Sequence, residues 1–179
     1  MANQVQKLSY VDSKLGVSLP GQQTTRVIYD SVNAAAGQQF FEFFTNFAGK
    51  TEFQTNLSTN KLDSAESMII KSIYFNINSA ALNFQGHTNL NITVGNQVIL
   101  KDFDVSFNSG NRGVAFDRLH SGFNNNFILE VRLLTEIVIP PQVNFKATLQ
   151  LAGNTLAAND DITMVMKGYG RIFSAGNSF

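Results

Sequence analysis

Residues 143–151 read Val-Asn-Phe-Lys-Ala-Thr-Leu-Gln-Leu, and apolar and polar side chains alternate along the whole segment. A period of two residues places the apolar side chains on one face of a strand and the polar ones on the other. Pro140 and Pro141 precede this segment. Because proline cannot donate a backbone hydrogen bond, the pair ends any strand that comes before it. The stretch therefore predicts a half-buried β-strand that begins after a break.

The same period of two continues upstream of the prolines. Residues 127–138 predict a long strand with Phe127, Leu129, Val131, Leu133 and Ile137 on one face. Residues 67–78 predict another, with Ile69, Ile73, Phe75 and Ile77 on one face and Met68, Ile70, Tyr74 and Asn76 on the other. Residues 89–103 predict a β-hairpin, because Gly95-Asn96 separates two alternating runs.

Three further strands complete the pattern. Residues 24–30 are β-branched and aromatic, and residues 162–173 form the last strand. Residues 39–47 contain five phenylalanines, which predicts a strand buried on both faces and favours a core role over a patch for lipid or a neighbouring subunit. Gly168-Tyr169-Gly170 indicates a bulge or a close approach of backbones within the last strand.

These segments amount to eight or nine strands with almost no helix, so we predict an all-β sandwich or barrel. The absence of an internal repeat disfavours propellers and solenoids. We divide the chain into an N-terminal arm at 1–22, a β-body at 23–173 and a tail at 174–179. The predicted structural core residues are Phe41, Phe43, Ile73, Phe75, Val131, Leu133, Phe145 and Leu149.

The composition excludes several classes of function. The chain has 179 residues, 13 basic and 13 acidic side chains, a net charge of zero and no cysteine. Disulfides and thiolate metal sites are therefore excluded, and the scattered Lys and Arg disfavour specific nucleic-acid recognition. Near-zero charge weakens repulsion between copies and favours association. Residues 1–20 lack the basic start and apolar run of a signal peptide, so secretion is not expected.

No pattern of catalytic, cofactor-binding or metal-ligating residues emerges. His87 and His120 are 33 residues apart and outside any HExxH motif, and Asp117 beside His120 is more typical of a loop than of a catalytic pair. The GxSxG, GxGxxG and GxxxxGK[ST] motifs are missing. Asp102 and Asp104 could share a strand face and bind calcium, but without a DxDxDG loop a solvated face is favoured.

The order of features resembles one family. A polar arm, about eight strands, and the passage Ile137-Val138-Ile139-Pro140-Pro141-Gln142-Val143-Asn144-Phe145 are similar to the single jelly-roll capsid proteins of tailless icosahedral bacteriophages, including those that enclose a membrane. The resemblance implies an antiparallel β-sandwich, a single jelly roll of about eight strands, acting as a structural virion protein. It also implies self-assembly into an icosahedral shell and brings no catalytic residue or cofactor.

The resemblance further implies the partners. They would be copies of the same chain and other capsid proteins, with the arm tying neighbours or touching an inner membrane or the genome. We expect assembly contacts in residues 1–22 and in the loops of residues 108–126, because both are predicted to be exposed.

Two other classes stay open. One is a carbohydrate-binding β-sandwich, either lectin-like or a phage receptor-binding domain, although tryptophan is absent and tyrosine is scarce. The other is a cupin-type enzyme, which would need a histidine cluster that two distant histidines do not supply.

Overall fold

A computed structural model describes residues 8–12, 17–78, 88–104, 118–119, 126–151 and 160–173. These residues contain strands and no helix. The strands are β1 (Leu8–Asp12), β2 (Val17–Ala34), β3 (Phe40–Phe43), β4 (Glu66–Asn78), β5 (Thr88–Val94), β6 (Gln97–Asp104), β7 (Arg118–Leu119), β8 (Asn126–Ile139), β9 (Phe145–Leu151) and β10 (Asp160–Phe173).

The strands form two antiparallel sheets. The six-stranded sheet has the order β1-β2-β10-β4-β8-β7, and the four-stranded sheet has the order β3-β9-β5-β6. Without the short outer strands β1 and β7, each sheet has four strands, and the chain passes from one sheet to the other in the order of a jelly roll. The predicted all-β antiparallel sandwich, a single jelly roll of about eight strands, is confirmed.

The core lies between the two sheets. Its fully buried side chains come from both, and the largest are phenylalanines and branched aliphatics. The Phe43 ring of β3 meets the Phe75 ring of β4 edge-on, with centroids 6.1 Å apart, and the Phe44 and Phe145 rings lie 5.4 Å apart. The first pair joins the two sheets, whereas the second packs within the four-stranded sheet and the turn after β3. Both pairs add large buried apolar side chains to the core.

The strand that follows the two prolines is confirmed as predicted. From Phe145 to Leu151 in β9, buried residues alternate with exposed or half-buried ones. The hairpin of β5 and β6 is also confirmed, and its Gly95 has a φ of +60°. Glycine adopts this left-handed conformation without a steric penalty, which suits the first central position of a primed turn.

The predicted faces of β4 are wrong, because a bulge at Lys71 changes their phase. Lys167 of β10 pairs with Ser72 and Gly168 pairs with Ile70, so Lys71 has no opposite residue. The extra residue puts Met68, Ile70, Ile73 and Phe75 on one buried face. Simple alternation would place Met68 and Ile70 on the opposite face from Ile73. Because of the bulge, all three lie on the same face of the sheet.

The predicted bulge or close approach at Gly168-Tyr169-Gly170 is confirmed. A Cβ on Gly168 would lie 1.8 Å from the backbone oxygen of Ile69, and one on Gly170 would lie 2.9 Å from Cβ of Arg26. The missing side chain at Gly170 leaves room for Arg26, whose Nε lies 2.6 Å from Oε1 of Glu66 on β4. The glycines thus permit both the bulge and an ion pair that crosses β10.

The predicted doubly buried phenylalanine strand is wrong as well. β3 covers only Phe40–Phe43, and its burial alternates, with Phe41 and Phe43 inside and Phe40 49% exposed. The strand stops because Phe44 has a φ of +62° and turns its ring into the core. β3 belongs to one layer of a two-sheet sandwich, so only the face toward the other sheet is buried and the outer face is in solvent.

Most of the predicted core residues are buried. Six of the eight are at most 1% exposed: Phe41, Phe43, Ile73, Phe75, Phe145 and Leu149. Leu133 is half-buried against the core, and the side chain of Val131 lies outside the described residues. At the N-terminus, where no regular element was expected before residue 24, β1 pairs with residues 17–21 of β2.

Candidate interaction surfaces

The segment between β3 and β4 follows the outer side of β2. We call residues 51–56 the edge strap. Asn56 accepts a hydrogen bond from the Tyr29 amide (3.0 Å) and donates one to the Val27 carbonyl (2.7 Å). Thr55 Oγ1 donates to the Tyr29 carbonyl (3.0 Å), and the Ser31 amide donates to the Gln54 carbonyl (2.7 Å). The edge strap thereby occupies the position of a neighbouring strand.

A buried carboxylate holds the beginning of this segment. Asp30, on β2, is fully buried, and its Oδ2 accepts a 2.7 Å hydrogen bond from the Phe44 amide. Its Oδ1 lies 2.6 Å from Nζ of Lys50. A buried charge is tolerated when it is paired and its lone pairs are bonded, as both are here. Asp30 thus joins β2 of one sheet to the end of β3 in the other.

An open depression of about 580 Å³ lies beside the edge strap. Tyr29, Phe47, Lys50 and Glu52 are among the residues that line it. Its polar groups are largely engaged within the chain: the Tyr29 hydroxyl donates to the Glu52 carbonyl, and Lys50 pairs with Asp30. The depression is therefore better suited to fixing the strap than to binding a small ligand.

The far strand of the four-stranded sheet has an irregular edge. β6 pairs only with β5 among the described residues, and its register shifts twice, next to Ile99 and at Lys101-Asp102. Asp102 has a φ of +48°, and its amide donates a 2.7 Å hydrogen bond to Oδ1 of Asn91. Bulges on an outer strand twist its edge away from regular pairing with another chain.

Exposed apolar side chains lie on two opposite lateral sides of the sandwich. β2 contacts β3 across the two sheets, so these strands share one side, which we call the strap side. It carries Phe53, which is 95% exposed, and Phe40. β6 and β8 are toward the other ends of their sheets and form the opposite side, with Val98, Ile99 and Leu134 exposed.

The outer faces of the two sheets differ in chemistry. Across the six-stranded sheet, Thr25, Tyr169, Ile69 and Val138 form one lateral row, in which Tyr169 and Val138 are exposed. Lys71 Nζ lies 5.7 Å from the centre of the Tyr169 ring. On the four-stranded sheet, the corresponding rows hold Glu42, Thr148, Asn91, Lys146 and Thr93.

The structure describes few of the residues that the sequence singled out for chemistry. His87, Asp117 and His120 lie outside the described residues, as do most of the 108–126 loops and the side chain of Asp104. Asp102 is exposed at the β6 bulge. Within the described ranges no cluster of three or more His, Asp or Glu residues could hold a metal ion. The pairing of Asp102 with Asp104 as a calcium site is therefore not tested.

The most specific arrangement was missed by the sequence reasoning. Asn56 begins an Asn-Leu-Ser triplet, which by itself indicates nothing about β2. Its role depends on an amide side chain that offers a donor and an acceptor with the spacing of a peptide group. Only the placement of residue 56 beside residues 27–29 reveals that use, because the two segments are far apart in sequence.

The chain matches no protein-family model and no curated protein sequence. In the part of the chain that the structure describes, no helix is long and apolar enough to cross a membrane.

Proposed function

We propose that this protein is a structural virion subunit that assembles with copies of itself, and with other capsid proteins, into an icosahedral shell. The resemblance noted from the sequence suggested this role, and the jelly-roll order of the strands is compatible with it. Jelly rolls also occur in lectins and cupins, so the fold does not by itself select a shell protein.

The observation that carries the proposal is the position of the exposed apolar side chains. A shell subunit needs neighbours on opposite sides, whereas a binding module needs one site. Phe53 on the strap side and Leu134 on the opposite side are 95% and 99% exposed. Two different surfaces that meet head to tail form closed rings or shells when the rotation between copies closes.

The neutral surface chemistry supports the same role. The chain has equal numbers of acidic and basic residues, and its polar surface is rich in asparagine and glutamine. Amides form hydrogen bonds across an interface without the desolvation cost of a full charge. Neighbouring copies are also only weakly repelled by their net charges.

Light scattering on the purified native chain tests the proposal, over a range of protein and salt concentrations. We expect trimers, pentamers, hexamers or larger particles. Phe53→Ser and Leu134→Ser should each lower the average mass. Ile172→Ser is the matched control, because this exposed side chain lies near the end of β10, outside both lateral sides and outside the row that contains Tyr169 and Val138, and it should leave the mass unchanged. A stable monomer at every concentration would contradict the proposal and direct attention to a glycan-binding screen.

A further inference from the structure

Four consecutive backbone groups of β2 would be available to an added strand if the edge strap were absent. They are the Val27 carbonyl, the Tyr29 amide and carbonyl, and the Ser31 amide, which point away from β10. The strap bonds all four, at 2.7–3.0 Å. β1 pairs with β2 only up to Gly21, so it does not cover these groups.

Asn56 occupies the central position of this cover. Its one side chain bonds both Val27 and Tyr29, in the way that a peptide group of a neighbouring strand would. The other contacts come from the strap's own backbone and from Thr55. The side-chain amide of Asn56 forms the hydrogen bonds that a neighbouring strand would form with β2, but it offers no further strand for pairing. The sheet therefore ends at that point.

Strand edges left open attract strands of other chains, and proteins commonly cover them with a loop. Such a cover matters here because the net charge is zero, so copies repel one another only weakly, and because the strap itself carries the exposed apolar side chain of Phe53. We propose that the edge strap is a guard that prevents a second copy from adding a strand to β2, and that Asn56 is the residue on which this guard depends.

The guard defines how copies of this chain meet on the strap side. If copies meet there, as the proposed function requires, the contacts would be made by side chains such as Phe53 and not by extension of the six-stranded sheet. Removing the guard should therefore create a different association, in which β2 of one copy pairs with a strand of another.

Asn56→Ala is the test variant, with Asn33→Ala as the matched control. Asn33 is an exposed residue of β2, the strand whose edge Asn56 covers, and its side chain donates to Asp161 and not to the strap. We expect hydrogen exchange of the Tyr29 amide to accelerate about five- to tenfold in Asn56→Ala. At equal concentration and salt, the mass average should rise at least about twofold over the wild type, with an infrared signature of intermolecular sheet.

A second substitution separates guarding from simple stabilisation. Adding Val27→Lys to Asn56→Ala places a charge at the open edge, which should block strand addition without restoring the lost hydrogen bonds. The mass should return to the wild-type value while exchange at Tyr29 stays fast.

A different double variant separates the guard from the shell proposal. The rise in mass caused by Asn56→Ala should persist when Phe53→Ser is added, so the test of the guard does not depend on contacts made by Phe53.

Faster exchange at Tyr29 without any rise in mass would overturn the proposal, because the strap would then only stabilise the fold. If Asn56→Ala does not fold, Asn56→Ser replaces it. That variant stays polar and uncharged but is too short to bond both Val27 and Tyr29, so a smaller rise in mass is expected. An Asn56→Ser protein with the mass of the wild type would equally refute the guard.

Discussion

The central strands β9 and β4 fill the same core by different means. β9 keeps strict alternation from Phe145 to Leu151, and every second side chain is buried. β4 buries Met68 and Ile70, inserts Lys71 as an unpaired residue, and then buries Ile73 and Phe75. The first strand is specified by its own sequence, whereas the second depends on a glycine in β10, about a hundred positions away.

The largest expected effect comes from removing a ring where the two sheets meet. Phe75→Ala on β4 and Phe43→Ala on β3 should each lower the free energy of unfolding by about 3–5 kcal/mol. The double variant should lose about 0.5–1.5 kcal/mol less than the sum, because the two rings are in contact. Urea denaturation measures all three.

Phe40→Ala is the control for this pair, because its ring is half-exposed on the same strand as Phe43. It should cost about 1 kcal/mol or less. A loss at Phe40 equal to that at Phe43 would mean that both faces of β3 are buried, as the phenylalanine run alone had predicted.

The next effect concerns the carboxylate that links the sheets. Asp30→Ala should lower the free energy of unfolding by about 3 kcal/mol or more, since it leaves the Phe44 amide without its partner and Lys50 without its counter-charge. Thermal unfolding would show the loss. Asp63→Ala, at an exposed carboxylate in the segment between β3 and β4, should change stability by less than about 0.5 kcal/mol. Equal losses at both positions would argue against the bridging role.

A smaller effect tests the dependence of β4 on β10. Gly168→Ala introduces a Cβ that would lie 1.8 Å from the Ile69 oxygen, so the backbones must separate. We expect a loss of about 2–3 kcal/mol in unfolding free energy, within the range for overpacked sites. Gly37→Ala, whose Cβ has free space but whose φ is +85°, should cost only about 1 kcal/mol.

Ala147→Gly completes the comparison on β9. Ala147 is fully buried, yet its strand needs no special backbone, so the change should cost about 1 kcal/mol through chain entropy and a lost methyl group. If Gly168→Ala proved as mild as Ala147→Gly, the bulge at Lys71 would tolerate side chains at residue 168, and the distinction between the strands would fail.

The sequence predicted much of the fold for reasons that these strands make clear. Alternation, Pro140-Pro141 and Gly95-Asn96 act locally, so β9, the end of β8 and the β5–β6 hairpin were predicted. The sequence could not predict which side chains of β4 face the core. The inserted residue Lys71 shifts the alternation by one position, and only the pairing of Ile70 with Gly168 reveals the insertion. The edge strap escaped prediction for the same reason, since Asn56 acts on a strand nearly thirty residues earlier.

The smallest expected effect on stability comes from substitutions on the outer faces of the two sheets, which differ in chemistry. Tyr169 and Val138 belong to one row of the six-stranded sheet, and both are about half-exposed. Replacing both with serine should cost about 1 kcal/mol or less in unfolding free energy but should reduce self-association, because apolar area that water contacts is removed. Thr148→Val makes the opposite change on the four-stranded sheet and should increase association. Light scattering at constant concentration compares the two, and a lower mass in both variants would mean that the outer faces do not differ in the way their chemistry indicates.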